Sequence, residues 1–153
     1  MTISMDEIKK LRKKTGAGVM DAKKALEESK GNIGKAEEWI AKKGLARAEK
    51  KSDRETSAGA IYAYSHHNGS SATLVELNCE TDFVAKTDDF MNLAKEVAMQ
   101  VNSMGPETVA DLLSQEYVRD PSITVEELIK QTSGKLGENI KLKRFQRFEL
   151  GEK

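Results

Sequence analysis

The feature that most constrains this chain is a change of hydrophobic period near residue 57. Before it, apolar residues recur at helical spacing in short runs punctuated by glycine. After it they first alternate, as a strand requires, and then return to helical spacing. Alternation cannot be accommodated in a bundle made of helices throughout, and the glycine-punctuated runs cannot be strands. The pattern therefore predicts an α+β chain, with a helical N-terminal piece followed by a small sheet packed with helices.

The N-terminal signals are local and specific. Ser4 followed by Glu7 is a capping box, Ile8 and Leu11 make a narrow apolar stripe, and Gly16 fits a left-handed C-terminal cap. A second helix begins after Gly18, with Val19, Ala22 and Leu26 on one side, and stops at Gly31. Asn32 caps a third, in which Ile33, Ala36 and Ile40 recur before Gly44 is expected to close it. Residues 1–44 thus read as a three-helix bundle. Residues 45–56, alanine-rich and charged, read as a helical or partly flexible linker, and residues 57–153 as the α+β core.

In the core, Ala60–Ser65 and Ala72–Leu77 read as strands joined at Asn68-Gly69, a strong hairpin signal because both residues tolerate positive φ. Asp88–Met104 places Phe90, Leu93, Ala94, Val97, Ala98, Val101 and Met104 on one wide face, enough to cover one side of a sheet. Gly105-Pro106 stops this helix. A weaker helix is expected over Glu107–Gln115, and Thr124 with Glu127 caps another ahead of Leu128 and Ile129. Ile140–Leu150 completes a three-stranded antiparallel sheet, with Ile140, Leu142, Phe148 and Leu150 expected on one face and Lys141, Lys143 and Arg147 on the other.

Composition narrows the functional classes. With 38% hydrophobic and 33% charged residues, much of the chain must be surface, and a large enzyme interior is not expected. Basic and acidic residues number 25 each, which argues against a dedicated nucleic-acid or membrane binder. The charge is nonetheless uneven, the N-terminal piece being basic and the middle acidic. A single cysteine, Cys79, allows no internal disulfide and suggests a reducing compartment, and no apolar run approaches bilayer length. A cytoplasmic protein is expected.

Function concentrates in Asn78–Lys86, Asn-Cys-Glu-Thr-Asp-Phe-Val-Ala-Lys, between a strand and the helix that Thr87 opens. A connecting loop should be polar, yet Phe83 and Val84 sit directly beside Asp82 with no glycine or proline to fold them away, a composition that suits docking. Three blocks now coincide: Leu11–Leu26, the Glu76–Lys86 stretch with Thr-Asp-Phe-Val at Thr81–Val84, and Gly137–Ile140, Gly-Glu-Asn-Ile. Together, in this order and spacing, they resemble the bacterial elongation factor Ts family. The resemblance implies a ubiquitin-associated-like N-terminal bundle that docks on the nucleotide-binding domain of elongation factor Tu, bringing Arg12, Val19 and Met20 to that surface. It implies that Phe83 inserts between helices of that domain while Asp82 helps to displace the surroundings of the magnesium ion, with Thr81 and Val84 in the same motif, so that GDP leaves. The partner would be elongation factor Tu, GDP-bound or nucleotide-free, with no nucleotide, DNA, membrane, cofactor or metal bound by the chain itself. Whether two copies associate is left open. One departure stands out: Met104 leads to Thr124 through a short connection where most relatives carry a longer region, so the chain reads as a minimal, single-sheet form.

Other readings attach to the same residues. From spacing alone Phe83 is as readily a core residue turned inward, and Asp82 a helix cap or a surface charge. His66-His67 with Cys79, Glu80 and Asp88 suggests a metal site, but adjacent strand residues face opposite ways and no zinc-like spacing is present. Lys9, Lys10, Arg12, Lys13 and Lys14 could grip RNA phosphates, making an RNA-binding or ribosome-associated adaptor the alternative, although no aromatic residues are interleaved with them. An adaptor for ubiquitin-like or acidic partners would leave Asp82 and Phe83 dispensable. No nucleophile–base pair or phosphate loop points to an enzyme.

Overall fold

The structure is a computed structural model that describes residues 2–152. Helices α1 (Met5–Thr15), α2 (Val19–Glu28) and α3 (Ile33–Lys51) form the N-terminal bundle. Both sides of the Ser4–Glu7 capping box are made, and Gly16 takes the left-handed conformation, its N–H donating to the Arg12 carbonyl. Asn32 caps α3 by accepting from the Lys35 N–H. Ile8, Leu11, Ala22, Ala25, Leu26 and Ala36 pack together as a small core. Asp21 on α2 accepts from Lys43 at 2.7 Å and Arg47 at 2.8 Å on α3, adding a polar tie to the bundle.

Gly44 does not close the third helix: α3 continues through it to Lys51. The glycine sits instead at a helix crossing. It lies against Gly134 on α7 (Val125–Leu136), and a β-carbon on Gly134 would fall 2.5 Å from the Gly44 Cα. The missing β-carbon of Gly134 lets the helix backbones touch, so the residues expected to form a linker are in large part helix packed against the core. Lys130 on α7 bonds Glu49 on α3, and Lys135 reaches Asp89 at 3.2 Å.

Strands β1 (Ala58–Ser65) and β2 (Ser71–Cys79) form the expected hairpin, in which Gly69 takes positive φ and Asn68 does not. Strand β5 (Lys141–Glu149) pairs antiparallel with β2, so the sheet order is β1-β2-β5. Between β2 and β5 run α4 (Asp82–Ala85), α5 (Asp88–Met104), α6 (Val109–Ser114), a small hairpin of β3 (Glu116–Tyr117) and β4 (Asp120–Thr124), and then α7. The sequence reading did not anticipate that hairpin. Thr87 and Thr124 cap α5 and α7 as expected. Phe90, Leu93, Val97 and Val101 of α5 are buried with Val75 and Leu77 of β2, whereas Met104 at the helix end is exposed.

The expected face of the last strand holds only at its start. Ile140 and Leu142 are buried, but the register shifts opposite Glu76/Leu77, so Lys143 is passed over and the following residues change sides. Phe145 then packs on the core and Arg147 turns in to donate to the Asn102 carbonyl at 3.0 Å. Phe148 and Leu150 are exposed.

Candidate functional site

Strand β2 ends at Cys79, whose side chain is fully buried with its Sγ donating to the Thr81 carbonyl at 3.2 Å. Burial pushes the thiol pKa up, and the nearby Glu138 and Asp82 carboxylates push it further, so Cys79 is a packing residue rather than a nucleophile. The chain does not continue as an open loop. The Thr81 hydroxyl accepts from the Val84 N–H at 3.4 Å and caps the single turn of α4, and the Thr87 hydroxyl donates to the Val84 carbonyl at 2.8 Å where α5 begins.

That turn decides which way each side chain faces. Ala85 is buried and Val84 packs on the core edge, so Asp82 and Phe83 are directed outward, and Phe83 is 87% exposed. It is an apolar ring on a short, doubly capped turn at the protein surface. The inward, core-residue reading of Phe83 does not hold.

The turn is held from outside by Gly137–Ile140, between α7 and β5. Glu138 Oε1 accepts from the Glu80 N–H at 3.2 Å and the Thr81 N–H at 3.0 Å, while its Oε2 accepts from the Thr81 hydroxyl at 2.7 Å. The Asn139 N–H donates to Glu80 Oε1 at 2.8 Å, and its buried side-chain amide donates to the Ser52 and Arg54 carbonyls. One short strap therefore ties the motif turn to the end of α3. Gly-Glu-Asn-Ile stood out in the sequence, but its role was not legible there, since Glu80 and Glu138 are far apart along the chain. A polar pair directly after a left-handed helix cap and directly before a strand was the available signal.

Thr81, Asp82, Phe83 and Val84 are thus brought together, while Arg12, Val19 and Met20 lie on the bundle around the α1–α2 turn. Arg12 Nε donates to the Ala17 carbonyl at 3.2 Å, Met20 is 75% exposed, and Val19, which its spacing had grouped with buried Ala22 and Leu26, is 42% exposed at the helix start. Among the described residues, His66 and His67 join no group of three or more His, Cys, Asp or Glu side chains able to hold a metal ion. Among the described residues, no helix is long and apolar enough to cross a membrane.

The family pattern described as elongation factor TS matches residues 80–153, which include the motif turn and the strap that holds it. Elongation factor Ts of Prochlorococcus marinus strain MIT 9215 is 44% identical over 95% of this chain and 88% of its own length. Elongation factor Ts of Thermotoga neapolitana is 44% identical over 99% of both chains, and that of Rippkaea orientalis is 41% identical over 98% of this chain and 79% of its own. The Thermotoga alignment spans 195 positions against 153 residues here, so that relative carries segments within the matched span that this chain lacks. The chain belongs to the elongation factor Ts family, proteins of translation elongation.

Proposed function

We propose that this chain is a guanine-nucleotide exchange factor for elongation factor Tu, and that it acts as a wedge. The observation that carries the reading is Phe83, 87% exposed on a turn held by Glu138 and capped by Thr81. A solvent-facing phenylalanine on a restrained support gains about 1.5–3 kcal/mol when it enters an apolar cleft of a partner. Membership of the elongation factor Ts family supports elongation factor Tu as that partner.

Guanine nucleotides are held by a phosphate loop and by magnesium bridging the phosphates, so a small displacement of that cage weakens binding. In the proposed mechanism the α1–α3 bundle docks first, through Arg12, Val19 and Met20, on the nucleotide-binding domain. The core of residues 57–153 then delivers the turn: Phe83 enters between helices of that domain, Asp82 next to it disturbs the surroundings of the magnesium, and Thr81 and Val84 hold the turn's shape. GDP leaves and GTP can enter. The chain makes and breaks no bond. Its binding energy is realised in the nucleotide-loosened state, and linkage makes the effect reciprocal, since whatever factor the protein takes from GDP affinity GDP takes from the protein's.

The test is release of a fluorescent GDP analogue from elongation factor Tu with magnesium present. Release should accelerate when this chain is added, and Phe83→Ala should remove most of the acceleration. An unchanged release rate with the wild-type chain would rule out exchange for this short form.

A further inference from the structure

We propose that Glu138 is a positioning residue for nucleotide release, holding the Thr81–Ala85 turn so that Phe83 stays presented; this rests on the exchange reading above. The difficulty it answers is physical. An exposed aromatic ring gains by folding back onto nearby apolar surface, and Val84, its neighbour in the chain, packs on the core edge. Helix α4 is four residues long, far too short to hold its shape alone.

Glu138 supplies the restraint. Its carboxylate collects three donors from two consecutive residues, the Glu80 and Thr81 N–H groups and the Thr81 hydroxyl. A carboxylate suits this place because it only accepts. With the Thr81 hydroxyl proton directed to Glu138, the oxygen lone pairs remain for the Val84 N–H, so the cap of α4 and the bond to Glu138 are one arrangement of a single hydroxyl.

Glu138 is itself fixed on both sides. Gly137 ends α7 in the left-handed conformation, the Ser133 hydroxyl donates to the Glu138 carbonyl at 2.6 Å, and Asn139 is anchored to Ser52, Arg54 and Glu80. Its carboxylate accepts from Glu80 and Thr81 within this chain. Glu138 therefore acts through the turn, and the same strap links the turn to the end of α3, setting where Phe83 stands relative to the bundle.

The experiment measures GDP-analogue release from elongation factor Tu over a concentration series of the wild-type chain, Glu138→Ala, Glu138→Gln, Phe83→Ala and the Glu138→Ala/Phe83→Ala double variant. Amide hydrogen exchange on each free protein is followed alongside. Glu138→Ala should lower the maximal release rate on the order of tenfold, the size of one lost charge-assisted hydrogen bond, with a smaller change in the half-saturating concentration. Glu138→Gln should recover only part of the rate, because its amide oxygen still accepts from the Glu80 and Thr81 N–H groups but its amide nitrogen cannot accept from the Thr81 hydroxyl, and it keeps the comparison usable should the alanine variant fold poorly. In the Phe83→Ala background, removing Glu138 should cost little more. The Thr81 and Val84 amides should lose protection in Glu138→Ala while those in the middle of α5 keep theirs. An equal penalty with and without Phe83 would overturn the proposal, and so would unchanged protection at Thr81 and Val84. If the wild-type chain fails to accelerate release, the exchange reading falls by itself. The hydrogen-exchange arm still decides whether Glu138 holds the turn.

Discussion

Gly44 and Gly134 face each other where α3 crosses α7, both within helices, yet alanine should affect them in opposite directions. A β-carbon on Gly134 would lie 2.5 Å from the Gly44 Cα and 2.7 Å from its carbonyl carbon. Carbon atoms pack best about 3.5–4.0 Å apart, so the two helices would have to part by about 1 Å, and a gap of that size forfeits about a quarter to a half of each contact it opens. The obstacle is backbone and cannot rotate away. Overpacking costs about 1–3 kcal/mol, here at the upper end, and the better helix propensity of alanine returns about 1 kcal/mol, leaving a net loss of about 1–2 kcal/mol. A β-carbon on Gly44 would instead point to the Gln131 carbonyl oxygen at 3.7 Å, an ordinary contact, so the propensity gain of about 0.5–1 kcal/mol is kept. For a chain of this size each kcal/mol moves Tm by about 2–4 °C. Thermal melting followed by circular dichroism should therefore show Gly134→Ala lower by about 2–8 °C and Gly44→Ala higher by about 1–4 °C. Equal shifts, or a Gly134→Ala protein melting above Gly44→Ala, would refute the close-crossing argument.

Phe83→Ala should leave Tm within about 2 °C of wild type, because a side chain that is 87% exposed contributes little to the folded state; a larger fall in the same melting experiment would show the ring packing on this chain. In the bundle, the hydrogen bond from Lys43, helped by that from Arg47, holds the Asp21 carboxyl below the ordinary aspartate value of 3.8. A carboxyl depressed in the folded state stabilises above that value, and the contribution is lost as pH falls through the lower folded value. Wild type should thus exceed Asp21→Asn in urea midpoint at neutral pH, with the difference shrinking below about pH 4. A difference that persists unchanged at pH 2 would assign the effect to packing instead.

Features set by neighbours in the chain were legible in the sequence by itself. Ser4, Asn32, Thr87 and Thr124 satisfy amides within three residues of themselves, Gly16 ends a helix that its own neighbours define, and the Asn68-Gly69 hairpin closes on adjacent strands. These determined the α+β class and the order of the main helices and of the three strands of the sheet, though not the small β3–β4 hairpin. What only the tertiary structure decided depends on contacts between distant segments. The same glycine signal marks a left-handed cap at Gly16 and a mid-helix position at Gly44, where α3 continues against the distant Gly134. Alternation along the last strand could not reveal a register shift opposite Glu76/Leu77, and since strand faces alternate with period two, one extra residue moved Phe145 inward and Phe148 outward. The residues of the motif turn were legible, but whether Phe83 faced core or solvent was not. Ala85 burying itself against the core, and Glu138 taking hold of Thr81 from 57 positions away, set that direction.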